Sequence, residues 1–178
     1  MNTFDHYISY ETRLGYTKVS DYRKFSAIAR TLYRDLKELK PSDITNEYIK
    51  WLNDFETIKF TEQRYKKHTK NDVSNYVKKQ KKSKNNFLYG IFLYDEKKKE
   101  KHIGNIKLGS IDFNHKNAYI SYLIGDKKFL NLGIATWAIS NIIIIAKKKF
   151  KLKKLFAGTY SINYASKKVL EKNNFKCE

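Results

Sequence analysis

Residues 124–139, IGDKKFLNLGIATWAI, join the end of an apolar strand to the start of a long apolar helix. Gly133 opens that helix, and small residues there let the backbone approach a ligand closely. The first N–H groups of a helix have no acceptor within it, and the helix dipole is positive at this end. The stretch therefore indicates an anion site suited to a pyrophosphate, although glycine also begins helices that bind no ligand.

Hydrophobic residues alternate with a period of two on the N-terminal side of this stretch. The alternation predicts strands at residues 87–94, 102–111 and 118–125, and the short turns between them imply an antiparallel meander. On the C-terminal side, a further strand is expected at 155–160. The apolar helix between the last two strands implies that they pair in parallel.

Helices are expected on both sides of these strands. The first begins after Ser42, Asp43 or Thr45, and its apolar face would comprise Tyr48, Trp51, Leu52 and Phe55. A polar loop, NDFETIKFTEQR, leads to a second helix, which Thr69 and Asp72 would open as a capping box. Asn163 would cap a last helix over 165–172.

Residues 1–26 are polar and rich in Tyr, and we interpret them as an N-terminal extension with a short strand over 7–10 and a helix from residue 21. Residues 27–178 would form one domain, which suits this length. Residues 31–39 fit either a strand or a helical turn. The combined pattern predicts an α+β fold with a mixed, mainly antiparallel central sheet and flanking helices.

The chain carries a net charge of +19, from 37 Lys and Arg against 18 Asp and Glu. An anionic partner such as nucleic acid, a membrane surface or a phosphorylated ligand would explain this charge. The alternative is a set of solvated faces, which the runs of nearly pure Lys favour, because nucleic-acid surfaces usually use Arg and interleave aromatic residues. Nucleic-acid binding is thus not the expected role, although the charge leaves it open.

Several classes of protein are not expected. Cys177 is the single cysteine, so the chain has no internal disulfide framework, which favours the cytoplasm. The N-terminus lacks a basic segment followed by an apolar run, so no signal peptide is expected. The longest apolar run, near residues 142–146, is shorter than the roughly 20 residues that span a bilayer. No His, Cys or Asp cluster has metal-site spacing.

Residues 124–139, the strand after them and SINYASKKVLEKNNF at 161–175 together resemble the acetyl-CoA half of the GNAT acetyltransferases. Residues 44–77 look like the acceptor-side helices of one branch, which contains ribosomal-protein N-terminal acetyltransferases and bacterial nucleotide-amino-sugar N-acetyltransferases. Residues 102–126 look like the central strands of that branch. The resemblance implies the GNAT fold, with the sheet splayed at the cofactor-binding joint, and acetyl-CoA as cosubstrate.

The resemblance also implies which residues hold acetyl-CoA. Tyr122, Leu123 and Ile124 lie where the family's splayed strand pairs with the pantetheine arm. Asn163 and Ser166 match positions beside that arm. Main-chain amides would hold the pyrophosphate in a loop and first helical turn made of Leu130, Asn131, Leu132, Gly133, Ile134, Ala135 and Thr136. The first two of these depart from the family's usual Gln or Arg and Gly, but a cradle of main-chain amides tolerates the change.

The catalytic groups are less determined by the resemblance. Leu170 stands where many family members have the Tyr that protonates the CoA thiolate, so Tyr160 and Tyr164 are the candidate donors, with packing as their alternative role. Glu62, in the acceptor loop, is a candidate base or ammonium ligand. His68 is a second candidate base on the same side. A solvated loop residue is the alternative interpretation of both.

The WLND, E-x-R and T-x-x-D pattern of residues 51–72 looks most like relatives that build glycans, which implies a nucleotide-linked amino sugar as the acceptor. A protein N-terminus is the alternative acceptor, and a GNAT-shaped nucleic-acid-binding module is the alternative without catalysis. The family's terminal strand has no counterpart after Phe175, so residues 1–26 are expected to fill its place. An uncovered edge strand there would favour a homodimer.

Overall fold

The computed structural model describes residues 7–14, 33–94 and 99–178. The strands of this part are β1 (Tyr7–Arg13), β2 (Tyr33–Glu38), β3 (Phe87–Tyr94), β4 (Glu100–Asp112), β5 (Asn117–Ile124), β6 (Lys154–Tyr160) and β7 (Lys176–Cys177). Its α-helices are α1 (Asn46–Asn53), α2 (Phe55–Ile58), α3 (Lys70–Lys82), α4 (Ile134–Lys148) and α5 (Tyr164–Lys172), with 3-10 turns at Pro41–Asp43, Glu62–Tyr65 and Lys127–Phe129. Within these ranges no helix combines the length and apolar character needed to cross a bilayer.

One sheet contains the described strands, in the order β2-β3-β4-β5-β6-β1-β7. Neighbouring strands are antiparallel except β5 and β6, which are parallel because α4 connects them. The β5–β6 pairing covers only residues 117–120 and 154–157, so the ends of these two strands diverge. The α+β class, the mainly antiparallel sheet and the splayed joint are thereby confirmed.

Helices cover both faces of the sheet, and alternating residues of β3 supply both cores. Tyr89 and Ile91 are buried in the core that contains α4, whereas Leu88 and Phe92 are buried with α1 and α3. Gly125, directly after β5, has no room for a side chain, because a Cβ atom would lie 2.1 Å from the ring of Trp51. This contact seats α1 against the end of β5, next to the diverging strands.

The strand predictions hold closely. β3 has the expected bounds, and β4, β5 and β6 begin and end within two residues of the expected positions. The ambiguous segment 31–39 contains β2, and β1 extends the expected strand to Arg13. The helix expected from residue 21 and the domain boundary expected after residue 26 lie outside the described residues.

One helix prediction needs correction. Helix α1 ends at Asn53, and Phe55 is 57% exposed instead of lying on its apolar face. The reason is local, since Asp54 is extended and its carboxylate accepts a hydrogen bond from the Thr57 hydroxyl, which starts α2. The segment expected as a polar loop therefore contains α2 and the Glu62–Tyr65 turn. The capping box of α3 is confirmed, with Thr69 and Asp72 in reciprocal hydrogen bonds.

Strand β1 lies between β6 and β7 and is antiparallel to both. Tyr10 within it and Leu14 directly after it are 2% and 5% exposed. β6 therefore has a strand partner on the side away from β5, and the uncovered edge that suggested a homodimer does not occur at β6. A homodimer stays a prediction.

Deleting residues 2–20 is expected to lower the free energy of unfolding by at least about 3 kcal/mol, because it removes the buried Tyr10 and Leu14 and takes away the partner of β6 on the side away from β5. Urea denaturation measures the effect. Ser9→Ala, at an exposed position of the same strand, is the control and should change stability by less than about 0.5 kcal/mol. An unchanged midpoint in the deletion would show that β1 contributes no stability.

Candidate active site

A cleft of about 780 Å³ opens where β5 and β6 diverge. One wall, the α4 side, is lined by residues between 129 and 136 and between 163 and 172. The other wall, the α3 side, is lined by residues between 48 and 76 together with β4. The volume is within the range of small-molecule sites, about 300–1,000 Å³.

The α4 side is built around two left-handed backbone positions. Asn131 has φ 60° and Gly133, the N-cap of α4, has φ 77°. No side chain caps this end of the helix. The Trp137 amide donates to the Gly133 carbonyl at 3.0 Å, and this hydrogen bond closes the first turn of α4. The amides before Trp137 have no intrahelical acceptor. Together with the helix dipole, they form an anion-binding end that faces the cleft.

Helix α5 completes this wall. The Asn163 side chain accepts a hydrogen bond from the Ser166 amide at 3.2 Å and so caps the helix. The capped turn places the Ser166 hydroxyl 2.9 Å from the Tyr122 hydroxyl of β5, across the gap between the diverging strands. Burial raises the pKa of Tyr122 to about 12, so its hydroxyl remains a hydrogen-bond donor at neutral pH.

Tyr160, at the end of β6, meets the Glu62–Tyr65 turn on the α3 side. Its hydroxyl donates to Glu62 Oε1 at 2.6 Å and accepts from Arg64 Nη2 at 2.8 Å. The Arg64 guanidinium also lies 4.8 Å from the centre of the Tyr160 ring. The Glu62 side chain is 70% exposed, whereas that of Arg64 is only 8% exposed. The carboxylate is therefore open to the cleft while Arg64 supports Tyr160 from within the protein.

The electrostatics of this cluster keep Tyr160 protonated. Burial and the hydrogen bond to Glu62 raise the pKa of Tyr160, and Arg64 partly opposes that shift. The hydrogen bond to Tyr160 in turn raises the pKa of Arg64. A neutral phenol thus links a carboxylate to a permanent cation at the edge of the cleft.

Comparison with known protein families agrees with this arrangement. A family model described as an acetyltransferase (GNAT) domain matches residues 35–176. The chain belongs to the GNAT acetyltransferases. It is therefore an N-acetyltransferase that uses acetyl-CoA. No curated protein sequence matches the chain.

Solved GNAT acetyltransferase structures share its fold. RimL, a ribosomal L7/L12 alpha-N-protein acetyltransferase in complex with coenzyme A, is 15% identical with a TM-score of 0.70 over 82% of this chain and 81% of its own. Spermidine N-acetyltransferase from Vibrio cholerae, in complex with CoA and spermine, is 15% identical with a TM-score of 0.67 over 80% of each chain. The microcin C7 self-immunity acetyltransferase MccE, in complex with acetyl-CoA and AMP, is 20% identical with a TM-score of 0.66 over 79% and 77%.

Most residues expected to hold acetyl-CoA line the cleft of this GNAT domain. On β5 and α5 they are Tyr122, Leu123, Ile124, Asn163 and Ser166, and on the loop and α4 they are Leu130, Asn131, Gly133, Ile134, Ala135 and Thr136. Leu132 differs, because its side chain packs against the hydrophobic core, which leaves only its main chain for a ligand. The left-handed Gly133 and the diverging strands fit a long cofactor that contains a pyrophosphate. In acetyl-CoA, the thioester at the other end supplies the activated acetyl group.

The other two candidate catalytic residues are Tyr164 and His68. Tyr164 is 66% exposed and does not line the cleft, because residues two apart on a helix face different directions and Ser166 faces Tyr122. His68 lines the cleft but is only 4% exposed, and its Nε2 donates to the Gln63 carbonyl at 2.9 Å. That hydrogen bond holds a proton on Nε2, which leaves any role as a base to Nδ1, and His68 stays a candidate base.

The sequence patterns assigned no role to three polar residues of the α3 side. Asn105 and Lys107 of β4 line the cleft, and Arg64 supports Tyr160. A signal for the first two was available, because they are polar residues two apart in a strand that is otherwise largely buried. Within residues 7–14, 33–94 and 99–178, His, Cys, Asp and Glu side chains form no group of three that could hold a metal ion.

Proposed function

We propose that this GNAT acetyltransferase acetylates the primary amine of a nucleotide-linked amino sugar, with Glu62 and Tyr160 as its proton-transfer groups. The observation that carries the proposal is the Tyr160–Glu62 hydrogen bond of 2.6 Å, which joins β6 to the acceptor-side turn at the edge of the cleft. Acetyl-CoA supplies a thioester carbonyl that a neutral amine can attack.

Glu62 would bind the amine and take its proton. Its carboxylate is held by the Tyr160 hydroxyl yet remains open to the cleft, which suits an ammonium ligand and a base. As the nitrogen–carbon bond forms and the carbon–sulfur bond breaks, Tyr160 would give its proton to the leaving sulfur. Glu62, which has taken the proton that the nitrogen loses as the new bond forms, then restores the proton of Tyr160. The earlier proton of the ammonium group leaves to solvent, so the transfer balances.

The main chain of β5 supports a further role. The Gly125 amide donates to the Ile103 carbonyl of β4 at 2.8 Å. Adjacent residues of a strand direct their amides to opposite sides, so we infer that the Ile124 amide is directed toward the gap between β5 and β6. There it can donate to the oxygen of the acetyl group. Removal of one such donor from an enzyme costs about 2.7–4 kcal/mol in transition-state stabilisation.

The lining of the α3 side supports an amino sugar in particular. Thr57, Gln63 and Asn105 line the same cleft as Glu62 and carry hydroxyl and amide groups that can bind sugar hydroxyls. The net charge of +19 attracts a nucleotide diphosphate, and it opposes a polyamine, which is itself a polycation.

Purified protein with acetyl-CoA and a panel of amines tests this proposal. The panel comprises UDP- and dTDP-linked amino sugars, N-terminal peptides and spermidine, and release of CoA is followed with product mass. The highest kcat/KM is expected for a nucleotide-linked amino sugar. Turnover of peptides or spermidine alone would contradict the proposed acceptor.

A further inference from the structure

Lys107 of β4 is a half-buried cation that lines the cleft on the α3 side. No described residue makes a hydrogen bond or ion pair with its ammonium group. Leaving a partly desolvated ammonium without a counter-charge is unfavourable. The position therefore suits an anionic group that arrives with a ligand.

The surroundings of Lys107 do not supply that negative charge. Asp72, the carboxylate of α3 that lines the same cleft, is engaged by the Thr69 amide at 2.9 Å and the Thr69 hydroxyl at 2.6 Å. Lys79, also on α3, is close enough to lower the pKa of Lys107, in addition to the larger effect of burial. Lys79 therefore adds positive charge near Lys107.

The path of the Lys107 side chain is set by Gly109, two residues along β4. A Cβ atom at Gly109 would lie 2.5 Å from Lys107 Cε and 3.3 Å from its Nζ. The glycine leaves room for the lysine to lie along the strand. Lys107 pairs in register with Ser121 of β5, which also lines the cleft.

We propose that Lys107 binds a phosphate group of the acceptor, with Lys79 adding to the attraction. This inference rests on the proposed function, because it assigns the phosphate of a nucleotide-linked acceptor to a residue of the α3 side. The sugar amine would then lie at Glu62, and the diphosphate would extend along β4 toward Lys107. CoA has its own anion-binding end at α4, so the two phosphate groups would use separate walls of the cleft.

Titration of inorganic pyrophosphate into CoA-saturated protein tests the site without turnover. Calorimetry should show about tenfold weaker binding in Lys107→Gln than in the wild type, as expected for loss of one charge-assisted hydrogen bond. Lys107→Arg should retain binding. Lys78→Gln, an exposed residue of α3 that does not line the cleft, controls for net charge and should bind normally. Equal binding by Lys107→Gln and the wild type would overturn the proposal.

A paired substrate assay separates this proposal from the proposed function. Lys107→Gln should raise KM about tenfold for a nucleotide-linked amino sugar and leave KM unchanged for the methyl glycoside of the same amino sugar. The same increase with both amines would overturn the phosphate assignment. If the wild type acetylates neither amine, the proposed acceptor is wrong, whereas the pyrophosphate titration still decides whether Lys107 binds phosphate.

Discussion

Replacement of Glu62 by Gln is expected to lower kcat/KM for the acceptor by roughly 100- to 10,000-fold, the usual contribution of a general base. Gln keeps the size of the side chain and can still accept the hydrogen bond that Tyr160 donates to Oε1. It cannot take a proton from the amine or balance the charge of an ammonium group. Steady-state kinetics with CoA release as the readout measures the loss.

Three further measurements sharpen this prediction. The affinity for CoA, measured by calorimetry, should not change in Glu62→Gln, because Glu62 lies on the α3 side. Glu56→Gln is the matched control and should retain full activity, because Glu56 lies on α2 and forms an exposed ion pair with Lys59. Tyr160→Phe should lower kcat more than it changes KM, since its hydroxyl would act on the leaving sulfur. Full kcat/KM in Glu62→Gln would remove Glu62 from the mechanism.

Replacement of Gly133 by Val is expected to weaken CoA binding by about tenfold or more and to lower the free energy of unfolding by about 1–3 kcal/mol. Gly133 has φ 77°, a left-handed conformation that β-branched residues avoid. If the substituted valine left this conformation, the main-chain amides at the start of α4 would no longer point in a common direction, and they would bind the pyrophosphate of CoA less well. Calorimetry with CoA and urea denaturation measure the two effects.

Gly133→Asn is the matched variant, because Asn tolerates the left-handed region far better than Val. It should retain most CoA affinity and most stability. Asn131, two residues earlier, already adopts φ 60° in the native chain. Wild-type affinity for CoA in Gly133→Val would show that the backbone conformation at this cap does not control cofactor binding.

The framework of the sheet could be predicted because each of its signals is local. The apolar run of β3 is read from eight consecutive residues, and the apolar character of α4 from fifteen. The exception at Phe55 has a local cause too, but a weaker one. A single hydrogen bond from the Thr57 side chain to the Asp54 side chain competes with continuation of α1. The spacing of apolar residues carries no information about such a hydrogen bond, so it could not predict where α1 ends.

The α4 side of the cleft was also predictable, because main-chain amides at a helix start follow from one glycine and the residues around it. The α3 side was not. Tyr160 and Glu62 are 98 residues apart, and their partnership depends on the meeting of β6 with the Glu62–Tyr65 turn. Tyr164, which looked as suitable as Tyr160 in the sequence, is kept out of the cleft only by its phase on α5.

By itself, the sequence determined most of the elements, the parallel joint between β5 and β6, and the glycine that opens α4. These depend on hydrophobic period, capping and backbone conformation, which act over a few neighbouring residues. The tertiary structure alone decided that Glu62, Arg64 and Tyr160 form one cluster and that Lys107 faces the cleft without a counter-charge. Those arrangements depend on which surfaces pack together, and packing joins residues that no short pattern relates.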